Sequence, residues 1–185
     1  MIVFEKPGKD NTARVAEIAL AEAKKRGIRY IVVASTTGGT AEYFKSQKDL
    51  KIIIVRSSFG LNGQTPNINR MSQEKYDELT ACGIRVVTAA HALSGAERSL
   101  STTFKGIYPL EIIAGALRMF GQGTKVCIEA ATMACDNGAV PSGELIIAVG
   151  GTGGGADTAI ILQPVNSNRI MDTKISEILC KPSML

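Results

Sequence analysis

The sequence predicts an α/β fold, a three-layer sandwich in which helices cover both faces of a mostly parallel, doubly wound sheet with an antiparallel edge. Three observations carry this expectation. Runs that are apolar at nearly every position, "YIVVA" at 30–34, "KIIIVR" at 51–56 and "ELIIAVGG" at 144–151, mark strands buried on both sides. Segments with helical periodicity stand between those runs, as crossover connections of a parallel sheet require. No linker or low-complexity tract interrupts the 185 residues, so a single domain over 1–185 is expected.

In chain order, "NTARVAEIALAEAKKRG" places Val15, Ile18, Ala19 and Ala23 on one helical face, with an Asx residue before it and Gly27 to end it. Tyr30 to Ala34 is the first strand read, and Lys51 to Arg56 repeats its pattern; Ala41 and Phe44, three apart, suit a short crossover helix between them. "MSQEKYDELTACG" reads as a helix capped by Ser72, stapled by Met71 and Tyr76 and stopped at Gly83, and a strand follows at 84–88. Two helices are expected at 109–120 and 124–137, the second apolar nearly all round and therefore buried. Met119 and Met133 are expected in the core. Strands at 144–149 and in "TAIILQP" complete the main sheet, and "KISEILCKP" alternates as an antiparallel edge strand would.

Composition narrows the class of function. The chain is 45% hydrophobic and 21% charged, and no apolar run is long enough to span a bilayer, so a cytoplasmic protein with no membrane partner is expected. Its four cysteines form no CxxC pair and it has one histidine, which argues for reduced, mostly buried thiols and no metal site. Net charge is a mild +4, and Lys24, Lys25 and Arg26 fall at a helix end, where cations need no partner. With no Trp and 5% aromatics, stacking surfaces for nucleic acid are scarce. An anionic small molecule fits better, and a homo-oligomer stays open.

Two glycine-rich loops carry the chemistry. In "STTGGTA", Gly38 and Gly39 free the backbone so that several N–H groups can point into one concavity, and the hydroxyls of Ser35, Thr36, Thr37 and Thr40 add donors without charge; together they form a phosphate cradle. The blander reading, turn glycines and a capping Thr40, leaves the other positions unused. In "GGTGGGADT" there is a GxGxxA match at Gly151, Gly153 and Ala156, but a strand follows instead of the helix a dinucleotide fingerprint needs. Two readings stay open for that loop: a structural turn, or a hairpin whose Gly151, Thr152, Gly153 and Gly154 let a ligand approach the backbone while Asp157 and Thr158 bond its hydroxyls.

His91, the only histidine, stands just past a strand end, where α/β proteins place ligand contacts, with Ser94 and Arg98 close behind it. It is the candidate catalytic residue, although a lone histidine is more often packed or capping. The 56–69 loop, "RSSFGLNGQTPNIN", is longer than a crossover requires. If the strands at 30–34 and 144–149 are neighbours at the topological reversal, the two glycine-rich loops face each other across one crevice, with Ser57, Asn62, His91 and Arg98 further out.

The order of these elements, with "VVASTTGGTAEYFKS" after one strand and "VGGTGGGADTAII" between the last two, resembles the C-terminal domain of pyruvate kinase, and nearly the whole chain is similar to stand-alone, chiefly archaeal proteins of that alpha/beta type. The resemblance implies a phosphate site at Ser35, Thr36, Thr37, Gly38 and Thr40 and a closing loop at 151–157. It does not imply kinase activity, because residues already spent on this sheet leave no room for a catalytic (β/α)₈ barrel. Some pyruvate kinases have a basic residue in the effector loop, whereas Gly39 offers only backbone, which weakens the expectation of a sugar bisphosphate and leaves room for a ligand with one phosphate and a planar or apolar remainder. The stand-alone relatives imply flavin mononucleotide (FMN) as that ligand. The sequence therefore leads to a phosphorylated-ligand binding protein, with a flavin-dependent oxidoreductase or phosphate-ester-acting enzyme using His91, and a sugar-phosphate-sensing regulatory module, as alternatives.

Overall fold

The computed structural model describes residues 1–60 and 67–183. Among these, seven strands form one sheet in the order β1-β7-β6-β5-β2-β3-β4. The strands are β1 (Ile2–Phe4), β2 (Tyr30–Ala34), β3 (Lys51–Arg56), β4 (Arg85–Thr88), β5 (Ile146–Gly150), β6 (Thr158–Gln163) and β7 (Lys174–Pro182). The helices are α1 (Thr12–Arg26), α2 (Gln73–Ala81), α3 (Glu97–Phe104), α4 (Pro109–Arg118) and α5 (Gln122–Asp136). No helix of the described residues is long and apolar enough to cross a membrane.

The apolar runs do what their composition requires. Along β2, Ile31 and Val33 join a cluster with α1, Phe44 and Leu79, while Tyr30 and Val32 join another with α5, so successive side chains enter opposite layers. The chain begins its main sheet in the middle, at β2, builds outward through β3 and β4 in parallel, and returns through α5 to lay β5 parallel to the other side of β2, with Val33 opposite Val149. That reversal was expected. β6 is the one strand running against its neighbours, and β7 pairs antiparallel to it.

α1 ends at Gly27 in the left-handed conformation (φ 65°), and Ser72 Oγ accepts from Lys75 N at 3.1 Å to start α2 with Met71 buried beneath it. α5 is buried along almost its whole length. Several details differ from expectation. The connection from β2 to β3 contains only a four-residue 3-10 turn, Thr40–Tyr43, because Ala41 and Phe44 suffice to anchor it to the core. β1 pairs parallel to β7 on the outside of the sheet, where its three residues are too few to show a pattern. α3 also went unread, because none of its residues is buried. Met119 is 77% exposed and is no core residue, lying just past the end of α4, whereas Met133 is buried. Asn11 precedes α1 but gives it no side-chain cap; its Nδ2 donates instead to the Lys6 carbonyl at 2.8 Å. The four cysteines are free, and Cys82 alone is exposed.

Candidate functional site

β2 and β5 are hydrogen-bonded neighbours, so the loops that leave their carboxyl ends, 35–40 and 151–157, start side by side. Between them, and roofed by the ends of α1 and α5, lies a crevice of about 790 Å³, a size that suits a nucleotide-sized ligand.

The 35–40 loop divides its polar groups between fold and crevice. Ser35 belongs to the fold: its N–H donates to the Val55 carbonyl at 2.9 Å, and its Oγ accepts from Ala41 N at 3.3 Å, which secures the 3-10 turn. From Thr36 to Thr40, by contrast, no backbone N–H donates a hydrogen bond among the described residues. Thr36, Thr37, Gly39 and Thr40 line the crevice. A single 3-10 turn supplies almost no macrodipole, so these donors act individually and not as the positive end of a helix. The two glycines differ in kind. Gly38 has φ +95° and an added Cβ would lie 2.6 Å from Lys75 Cγ, so the fold demands it. Gly39 sits at φ −61°, ψ −42°, where any residue is at ease, and the nearest atom to an added Cβ is 4.0 Å away. Its lack of a side chain is not explained by the chain's own packing.

The second loop is mostly structural. Asp157 is fully buried; one carboxylate oxygen accepts from Gly8 N at 3.0 Å and Thr152 N at 3.1 Å, the other from Thr158 Oγ1 at 2.8 Å. Neither Asp157 nor the equally buried Thr158 is available to a ligand, which corrects the hydroxyl-binding role considered for both. A Cβ on Gly151 would lie 2.5 Å from the Gly155 carbonyl oxygen, and one on Gly155 2.4 Å from Thr12 Oγ1. Only Gly153 and Gly154, exposed and facing open space at positive φ, border the crevice without a packing duty.

The cations of the crevice went unread in the sequence. Arg56, at the end of β3, is 6% exposed, stacked over Tyr76 at 4.4 Å from the ring centroid, and donates Nε to Thr88 Oγ1 at 2.6 Å. It has no carboxylate partner among the described residues. Burial pushes its pKa below the ordinary arginine value, with Tyr76 acting in the opposite direction, so an anion in the crevice would relieve an uncompensated buried charge. Beside it, the buried Ser57 Oγ has no hydrogen-bond partner among the described residues. Lys9 and Arg70 add charge from α1's approach and from the segment before α2. An arginine closing an otherwise apolar strand was a visible signal; Lys9 and Arg70 arrive only through tertiary packing.

His91 is held at the crevice by a group the sequence reading also overlooked. Its Nδ1 lies 3.1 Å from Glu129 Oε2, and Glu129 Oε1 accepts from Leu93 N at 3.0 Å. Lys125, one turn earlier on α5, pairs with the same carboxylate, and both are nearly sealed from solvent. Burial by itself would raise the Glu129 pKa, but the hydrogen bond to His91 and the Lys125 charge outweigh it and hold the carboxyl at about 2. With Nδ1 occupied, Nε2 is the imidazole nitrogen left for a ligand. Ser94 is buried and no hydrogen bond joins its hydroxyl to His91. Arg98 lies exposed on α3, outside the crevice lining, so the expected outer ring shrinks to Ser57 and His91. Asn62 lies outside the described residues.

Among solved structures, the chain is similar to a pyruvate kinase from Cryptosporidium parvum at 16% identity, covering 81% of this chain and 22% of that one with a TM-score of 0.37. The pyruvate kinase of the same organism in complex with ADP matches at 16% identity over 89% of this chain and 23% of that one, TM-score 0.36. A hydrogen sulfide-producing enzyme from Fusobacterium nucleatum matches at 22% identity over 51% of this chain and 30% of its own, TM-score 0.30. The chain thus spans under a quarter of the length of these pyruvate kinases. Residues 13–162 match the sequence profile described as Pyruvate kinase, alpha/beta domain, which takes in every strand of the main sheet from β2 to β6 nearly to its end. On that match over most of its length, this chain belongs to the pyruvate kinase alpha/beta domain family.

Proposed function

We propose that this protein binds a phosphorylated small molecule in the crevice between the 35–40 and 151–157 loops, with FMN the first ligand to test. One observation carries the reading: Thr36, Thr37, Gly39 and Thr40, whose backbone N–H groups donate no hydrogen bond among the described residues, line the same crevice as the buried Arg56 and as Ser57, whose hydroxyl has no partner among those residues. Buried polar groups left unpaired, here the Ser57 hydroxyl and the Arg56 charge, are costly, and an anion with several oxygens would satisfy them together with the more exposed loop amides. In this reading the phosphate takes the 36–40 amides, and Ala34, Val55, Ala130 and Met133 supply an apolar wall suited to a planar ring. FMN brings redox chemistry when bound; the residues here hold and orient it. The test is mass spectrometry of the small molecule released on denaturing the purified protein, with thermal shifts on adding FMN or inorganic phosphate. A released phosphomonoester, or a rise in Tm with FMN that Thr37→Glu removes, supports the reading; no released compound and no shift with either addition defeats it.

The Glu129–His91 contact favours a second reading, in which the protein is a flavin-dependent oxidoreductase or an enzyme acting on a phosphate ester, with His91 as acid or base. His91→Ala separates the two: binding persists in both, and turnover disappears only in the second.

A further inference from the structure

Away from the crevice, α4 is apolar on two opposite faces. At 100° per residue, Leu110, Ile113, Ala114 and Leu117 share one arc, and this side is half-buried or buried, with α4 lying against α5. Ile112, Gly115, Ala116 and Met119 share the opposite arc, and that side faces water: Ile112 is 61% and Met119 77% exposed, and nothing lies within 4 Å of a Cβ placed on Gly115. A helix with apolar stripes on both sides is built to be covered on both. The question is by what.

The charges along the exposed stripe answer it. Glu111 and Arg118 flank it on the same edge, one near each end, and neither has an ion-pair partner among the described residues, Arg118 donating only Nε to Gln122 at 2.9 Å. Turn a second α4 antiparallel about a two-fold axis passing between positions 114 and 115, and each Glu111 comes opposite the other copy's Arg118. Gly115 and Ala116 fall near the crossing point, where small residues let helices approach closely, and Ile112 falls between Ala116 and Met119 of the other copy. A stripe that is complementary to itself under a two-fold rotation is what an isologous interface requires.

We infer that two copies of this chain associate through antiparallel packing of α4 on α4. One ten-residue helix buries less than the roughly 800 Å² per partner of a standard interface, so Leu100, Phe104 and Ile107, all exposed on the preceding segment, contribute as well.

Sedimentation equilibrium of the full chain tests this without reference to any ligand. The expected result is a mass twice 19.6 kDa at micromolar concentration. Ile112→Glu gives the monomer with an unchanged far-ultraviolet spectrum, since the side chain is 61% exposed. Glu111→Arg and Arg118→Glu each weaken the dimer by about tenfold or more, and the two together restore it, a rescue that misfolding cannot produce. A wild-type monomer at high concentration, leaving this face to another protein, overturns the inference. So does a dimer indifferent to Ile112→Glu and to both charge reversals.

Discussion

The two glycine-rich loops flank one crevice and look alike on paper, yet the chain uses them in opposite ways. In the 151–157 loop glycine is mostly an accommodation to crowding: Gly151 and Gly155 leave no room for a methyl group, and Asp157 binds the loop to the Gly8 amide. In the 35–40 loop only Gly38 is crowded, by Lys75, which is held across it by ion pairs with Glu42 and Glu78; Gly39 has open space beside it, and the amides from Thr36 to Thr40 donate no hydrogen bond among the described residues. Counting glycines does not locate a binding site. Asking which of them the fold can do without separates those kept by packing from those that are not.

Substitutions can break this contrast, and the largest expected effect is on stability. Gly155→Ala, combining a left-handed φ of +65° with a Cβ 2.4 Å from Thr12 Oγ1, should cost about 3 kcal/mol and show as a clear drop in the urea midpoint. Gly153→Ala, at φ +69° in open space, should cost only about 1 kcal/mol. Equal losses at both positions would mean that the second loop is not packed as described.

Acid sharpens the picture at the rear wall. Glu129 falls from 4.5 to about 2 in the folded state, so the stability it supplies is complete above pH 4.5 and is lost as pH falls through about 2. Glu129→Gln should therefore be less stable than wild type by a few kcal/mol at neutral pH, with Lys125 left buried and unpaired, and the gap should close between those two pH values. A gap constant from pH 6 to pH 2 would show the carboxylate unshifted.

The remaining effects are on ligand capture. Thr37→Glu, at an exposed position, should leave Tm within a degree or so and remove the thermal shift caused by FMN or inorganic phosphate. Thr40 is too buried for the same substitution to be informative. Smallest and most specific is Gly39→Ala: fold stability unchanged or slightly raised, because the native φ suits alanine, and affinity lowered severalfold if the ligand touches that backbone.

What could be read from the sequence follows from how local each signal was. The double-sided strands and the position of the reversal were visible because burial on both faces writes itself into consecutive residues of β2, β3 and β5. The crevice-lining positions Thr36, Thr37, Gly39 and Thr40 were visible because they fall within one short run of sequence. Arg56 was not read because it reads as the polar end of an apolar strand, and Lys125 and Glu129 because they sit inside a helix whose pattern is apolar nearly all round, although they are one helical turn apart and so mark a paired charge. Asp157 was misassigned because its partners, Gly8 and Thr152, include one at the other end of the chain. Local pattern fixes which groups a loop owns; only packing decides which of them are already engaged.

β6 is the strand that runs against the others, and this gives the loop before it a property its neighbours lack. A chain that leaves one strand and turns straight back along the next has both its anchor points at the same rim of the sheet, held by pairings such as Gly150 with Thr158. A cut at the tip, between Gly153 and Gly154, would leave two ends still fastened in place, and new termini opened there would require no rerouting of the chain.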